Sequence, residues 1–310
     1  ERALDNQNQW WKYLVIILVA LFGAQLIGAI PFAITITLKT LTNGGVTPNP
    51  ENAADLSIYG LPQNLSLVLL MIPFLLGLLA LILLVKPMHK RTWKEVANGT
   101  NILRWNRVYT GAMVWLILYS AYLAVNYFLD KDNFQFSFNP SPFITLVVIS
   151  LLLIPFQTTF EELFFRGYIV QGMAAWTRKR WLVLIVPAFF FGLMHILNPE
   201  IREFGFWIAM PQYWYYGLFL GFLTIVDDGI EMAMGVHAAN NIFLSIMVTH
   251  KASVLQTPAL LTQHRVNPIL DTVSLVGLSL IFIFILAKKY NWKFSTLKQE
   301  IGKETFENNQ

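Results

Sequence analysis

The sequence predicts an all-α, polytopic transmembrane bundle of about eight helices, and two observations carry that prediction. Apolar runs of about twenty residues recur along the chain, the length needed to cross a hydrocarbon core about 30 Å thick. Basic residues collect in alternate connections between those runs, as they do in loops held on the cytoplasmic side of a membrane. Composition agrees: of 310 residues, 55% are hydrophobic and 13% charged, with a mean hydropathy of +0.53. The absence of cysteine removes a disulfide framework, a Cys nucleophile and Cys-ligated zinc. A net charge of +4 and a pI near 9.2 express membrane orientation rather than a nucleic-acid surface.

Taken in order, Trp10, Trp11 and Lys12 stand as interfacial anchors before a first span over residues 13–38. That run is too long for the apolar region of a signal peptide, and no small-residue cleavage site follows it, so a retained span is expected. A loop rich in Asn, Gly and Pro, residues 39–64, reads as external. The second span, 65–85, ends at the basic stretch Lys86, Lys90, Arg91, Lys94, Arg104 and Arg107, which places that connection inside. A third span, 108–129, returns the chain outward. The fourth starts at Phe143 and reaches Arg178, Lys179 and Arg180. The fifth, 181–197, carries His195 near its far end; the sixth covers 206–226; the seventh, 232–248, contains His237, Asn240 and Asn241. Between the last two, Asp228 and Glu231 have the spacing of a capping box, with Asp228 as N-cap. The eighth span, 268–287, opens into a tail at Lys288 and Lys289. This gives a segment 1–12 and a tail 288–310 on the cytoplasmic side of a single membrane domain, 13–287. A bacterial plasma membrane fits this layout, with no solenoid repeat.

The fourth span holds the anomaly. Phe160-Glu161-Glu162-Leu163-Phe164-Phe165-Arg166-Gly167 puts two carboxylates and a guanidinium at the end of a membrane-length run. Each such charge costs about 2.5–3.5 kcal/mol at the centre of a membrane helix. Glu162 and Arg166 are four apart, on one face and in the favoured order for an ion pair. Glu161 is rotated by roughly 100° and needs another partner. A structural salt bridge beside a protonated carboxyl is the plain alternative.

Partners of matching depth occur on other helices. At 1.5 Å per residue, Glu161 lies roughly 15–20 Å from the inner basic cluster, His195 about 20 Å from Trp181, and His237 and Asn241 about 9–15 Å from the inner turn. One band of the bilayer holds them all, so they can line one cavity. His237 and Asn241 are four apart and share a face, as two donors aimed at one atom would. Interhelical hydrogen bonding is the alternative for that pair, and Asn240, one position off the face, suits that use better.

Glu161-Glu162-x-x-x-Arg166, Phe191-Gly192-Leu193-Met194-His195 and His237-x-x-x-Asn241 resemble, in order and spacing, the three motifs of the CAAX-protease and bacteriocin-processing family of intramembrane proteases, the Abi family. The resemblance covers about residues 143–249, and the first three spans carry no matching motif. It implies a conical catalytic cavity among the later helices and hydrolysis of a peptide bond in a membrane-associated peptide or protein. By the same resemblance, Glu161 and His195 position and deprotonate a water. His237 and Asn241 receive the oxyanion, while Glu162 and Arg166 hold the fourth helix, with Arg166 open to a substrate carboxylate. No cofactor is implied; a catalytic zinc on Glu161, His195 and His237 is the alternative mechanism. A non-catalytic scaffold of the same fold that binds a partner protein, and more distantly a proton-coupled transporter, are the competing functions. CAAX processing and a bacteriocin-immunity role are equally open.

Overall fold

The computed structural model describes residues 7–42 and 60–302. Most of the 39–64 loop read as external lies outside those residues, as do the first six and the last eight positions of the chain. Ten helices account for most of the described residues: α1 (Trp10–Thr42), α2 (Gln63–His89), α3 (Trp93–Asn98), α4 (Trp105–Leu129), α5 (Pro140–Thr177), α6 (Arg180–Leu193), α7 (Pro199–Phe204), α8 (Phe206–Val226), α9 (Glu231–Met247) and α10 (Pro268–Tyr290). Eight of them fall where the sequence places spans.

Five of the eight, α1, α2, α4, α5 and α10, are long and apolar enough to cross a membrane, which fits a multi-pass membrane protein. The other three differ for physical reasons. Helix α6 has 14 residues and reaches about 21 Å, too short for the core. Helix α8 is interrupted in its apolar character by Gln212, Tyr213, Tyr215 and Tyr216, and α9 is buried along most of its length among its neighbours.

Close approach of α4 and α9 sets the depth of the interior helix. A Cβ on Gly111 would stand 2.8 Å from the Met232 carbonyl, and one on Gly235 would collide with the Val108 carbonyl. Two glycines facing each other's backbones are the small-residue device by which membrane helices pack without a hydrophobic driving force. Any larger residue at either position would push α9, and with it His237, away from its neighbours.

Helix α5 is stitched to α9 by polar side chains at three levels. Ser150 pairs with Ser245 (3.1 Å), Gln157 with Asn241 (3.2 Å) and Glu162 with His237 (2.7 Å). Numbers rise on one helix as they fall on the other, so the two run antiparallel. Trp115 of α4, fully buried, donates its indole N–H to Asn240 (3.2 Å), the interhelical use expected for that residue. The apolar core around these stitches is aromatic: Trp115, Phe160, Phe164, Phe191, Phe219 and Phe282 are nearly or wholly buried within it.

Two small features were not foreseen. Helix α3 opens with a capping box in which Thr92 and Glu95 satisfy each other's backbone N–H groups. In the loops, β1 (Phe134–Phe136), β2 (Val248–Thr249) and β3 (Leu261–Gln263) form a sheet ordered β1-β3-β2, with Phe134 opposite Gln263 in the antiparallel pair and Val248 opposite Leu261 in the parallel one. Conversely, the capping box predicted for α9 does not form. Ile230 is its N-cap, Asp228 adopts a left-handed backbone (φ 50), and the Glu231 carboxylate turns to Arg104 and Asn98. A long-range guanidinium outbids the local backbone.

Candidate active site

The Glu-Glu-x-x-x-Arg stretch does not continue as a regular α-helix. From Glu162 to Ile169 the backbone widens into a π-helical turn. Such segments are rare and gather at functional sites, because the wide turn re-aims side chains that α-geometry would separate. Here both glutamates approach one imidazole. His237 donates Nδ1–H to Glu162 Oε1 at 2.7 Å, and its Nε2 stands 3.6 Å from Glu161 Oε2. The expectation that Glu161 points elsewhere is thus modified: it leaves the Glu162–Arg166 face but meets the same histidine.

Arg166 serves Glu162 alone, with Nη1 3.0 Å from Oε1. Its other nitrogen donates to the Gly217 carbonyl of α8 at 3.4 Å, and its guanidinium lies 4.0 Å over the Phe191 ring. Glu162, Arg166 and His237 are 0%, 2% and 3% exposed, so this ion pair and its imidazole have left solvent entirely.

Glu161 has a partner that the sequence reading missed. Gln157, one helical turn earlier, donates Nε2–H to Glu161 Oε1 at 2.7 Å and accepts from Asn241 Nδ2 at 3.2 Å. A polar residue four positions before a buried glutamate was the available signal. Asn240 donates in turn to Asn241 Oδ1 (3.1 Å), so a continuous chain of hydrogen bonds runs from Trp115 through Asn240, Asn241 and Gln157 to Glu161.

His195 does not lie within a span. Helix α6 ends at Leu193, and the His195 amide bonds to Gly192 (2.9 Å), three residues back. The Phe191 carbonyl, which a continuing α-helix would have satisfied with that amide, accepts His195 Nδ1–H instead at 2.8 Å. A carbonyl can only accept, so the neutral ring carries its proton on Nδ1 and presents a basic Nε2. The ring stacks on Tyr213 (centroids 4.5 Å apart), and its electrostatic neighbours include Glu161, His237 and Arg166. Tyr213 accepts from Asn198 Nδ2 (3.2 Å), and nearby Glu200 accepts from the Val254 amide (2.9 Å) while burial raises its carboxyl above the usual range.

Four helices therefore bring the six expected residues into one neighbourhood: Glu161, Glu162 and Arg166 from α5, His237 and Asn241 from α9, the His195 turn after α6, and α8 closing the side. Among the described residues no three His, Asp or Glu side chains converge so as to hold a metal ion.

The family model described as type II CAAX prenyl endopeptidase Rce1-like matches residues 140–243, the segment from the start of α5 to within α9. This segment is similar to that family. All three motifs lie inside it, so the resemblance read from them is borne out. The uncharacterized protein YyaK of Bacillus subtilis (strain 168) is 29% identical over 283 residues, covering 91% of this chain and 92% of that protein. No solved structure matches the chain significantly. The matched segment supplies every candidate residue, while α1, α2, α4 and α10 pack around it.

Proposed function

We propose that the protein is an intramembrane endopeptidase, hydrolysing a peptide bond in a membrane-delivered peptide or protein without a metal. The observation that carries this reading is the cluster of Glu161, Glu162 and His237, held out of solvent where two helices cross. Groups so costly to bury are retained in membrane helices where they do work.

The chemistry follows from the donors and acceptors. Glu161, oriented by Gln157, takes a proton from a water that His195 Nε2 helps to align, and the water oxygen attacks the scissile carbonyl carbon. Asn241 donates to the resulting oxyanion through the amide hydrogen that Gln157 leaves free, and His237 donates Nε2–H when the ring carries both protons. Glu162, itself held by Arg166, accepts Nδ1–H of His237 and so leaves Nε2 facing the reaction side. Glu161 then returns the proton to the leaving amine as the C–N bond breaks. General acid–base work of this kind contributes about 10²–10⁴-fold, and an oxyanion donor about 10²–10³-fold.

The substrate is met at the bilayer, and we place both termini in the cytoplasm on the strength of the basic connections. Purified protein in liposomes with a membrane-peptide library tests the proposal. Glu161→Gln is expected to abolish cleavage while the protein melts as wild type does. Equal cutting by the variant sinks the proteolytic role of Glu161 and favours the scaffold. Chelators are expected to leave activity intact; a loss that zinc restores would replace the metal-free mechanism.

A further inference from the structure

Among the described residues, three buried polar atoms around His237 have no hydrogen-bond partner: Glu161 Oε2, Glu162 Oε2 and the hydroxyl of Tyr216. Leaving such a group unpaired is costly, and two acceptors beside one donor is not what a structural network looks like. Tyr216 is 9% exposed and its ring meets His237 edge-on, centroids 5.5 Å apart at 87°. Its electrostatic neighbours include Glu162, Arg166 and Glu161, so the hydroxyl belongs to the acid pair's surroundings. The next residue, Gly217, accepts from Arg166, which ties this turn of α8 to the π-helical turn of α5.

The other donors of the site are partly engaged. His237 gives Nδ1–H to Glu162 and offers Nε2–H only as a doubly protonated ring, and one of the two Asn241 amide hydrogens goes to Gln157. A tetrahedral oxyanion needs donors that are free when charge develops, because a donor that must first abandon a partner has spent part of its stabilisation.

We infer that Tyr216 is a further catalytic residue, whose hydroxyl donates to the oxyanion of the tetrahedral intermediate beside His237. This rests on the endopeptidase reading and deepens it. The hydroxyl keeps its proton throughout; it forms a hydrogen bond that strengthens as the carbonyl oxygen gains charge and relaxes when the C–N bond breaks.

Tyr216→Phe removes one oxygen and keeps the ring against His237. In liposome-reconstituted protein the variant is expected to lose about 10–100-fold in kcat, with KM within about twofold and melting unchanged. Wild-type kcat in Tyr216→Phe beside a dead Glu161→Gln overturns this inference and leaves the endopeptidase standing. Full activity in both variants removes the endopeptidase reading and this inference with it. Should the phenylalanine variant fail to fold, 3,5-difluorotyrosine at position 216 preserves shape while changing the acidity of the hydroxyl. An unchanged kcat with that ring refutes the assignment.

Discussion

Two buried charge clusters sit in this molecule, and they are built differently. At the N-terminal end of α9, Glu231 accepts from Asn98 Nδ2, from the Arg104 backbone amide and Nε (3.1 Å each) and, on its second oxygen, from Arg104 Nη2 (2.6 Å). Arg104 also donates to the Asp227 carbonyl at 2.7 Å, while Asp227 takes the Trp292 indole N–H (2.9 Å) and faces Arg107 at 3.3 Å. Asp227 Oδ2 makes no hydrogen bond, yet Arg104 stands 3.4 Å away as its counter-charge. At the Glu161–His237 cluster, by contrast, both glutamates keep an unpaired oxygen and a tyrosine hydroxyl stays free. A saturated network fixes helices; an unsaturated one has capacity left for a reacting molecule. Charge and burial alone do not separate the two cases; Glu231 has both oxygens hydrogen-bonded, whereas Glu161 and Glu162 each keep one oxygen that is not.

Substitutions can break that contrast. The largest effect belongs to Glu161→Gln, which should cost about 10²–10⁴ in turnover with little change in melting. Glu231→Ala should do the reverse. It strands the Arg104 guanidinium and lowers stability by roughly 2–4 kcal/mol, below the value for a fully buried pair because Arg104 keeps 30% of its side chain exposed. Turnover per folded molecule should hold; a loss of turnover without melting would erase the distinction drawn here. Gln157→Ala sharpens it further, since it unties Glu161 Oε1 from Asn241. About tenfold in kcat is expected, the scale of one or two hydrogen bonds to a charged group. An effect on KM alone would mean that Gln157 contacts substrate instead of orienting the base.

The smallest effect concerns a histidine in the loop after α9. Nδ1 of His250 is buried without a partner, and burial lowers its pKa to about 4. Since the folded value lies below the unfolded value of about 6.5, the unfolded chain takes up a proton first as pH falls. Its contribution is therefore complete above about pH 6.5 and lost as pH drops toward about 4. His250→Gln should flatten the melting profile in that window; an unchanged slope would show that the ring is not titrating there.

Much of the site was legible in the sequence because it obeys the helical period. Glu162 with Arg166 and His237 with Asn241 are i,i+4 pairs, and Ser245 extends the latter face by one more turn. Gln157 belonged to the same logic on α5 and was passed over. What could not be read locally came from tertiary competition. Glu231 looked like a capping residue until Arg104, 127 positions away, was brought to it. His195 looked helical until its own side chain replaced the backbone bond at Phe191. All eight expected spans form helices, and five of them are long and apolar enough to cross a membrane. Helix α9 earns its place by facing protein on nearly every side, a condition that hydropathy does not distinguish from facing lipid.

The wide turn at 162–169 also joins the acid pair to the chain's beginning. Within it, Tyr168 stacks on Tyr13 of α1 (centroids 4.6 Å), and its hydroxyl is hydrogen-bonded with His89 Nε2 at 2.8 Å. A π-turn holds one residue more than regular α-geometry, so removing a single residue there would close it to an α-turn and rotate residues within the turn by roughly 100° against their present neighbours. Tyr168 would lose its seat on Tyr13 and His89 while Glu161 kept its own, and the phase between membrane anchor and acid would be gone. Length in this one spiral loop is therefore expected to be less negotiable than the identity of most side chains on it.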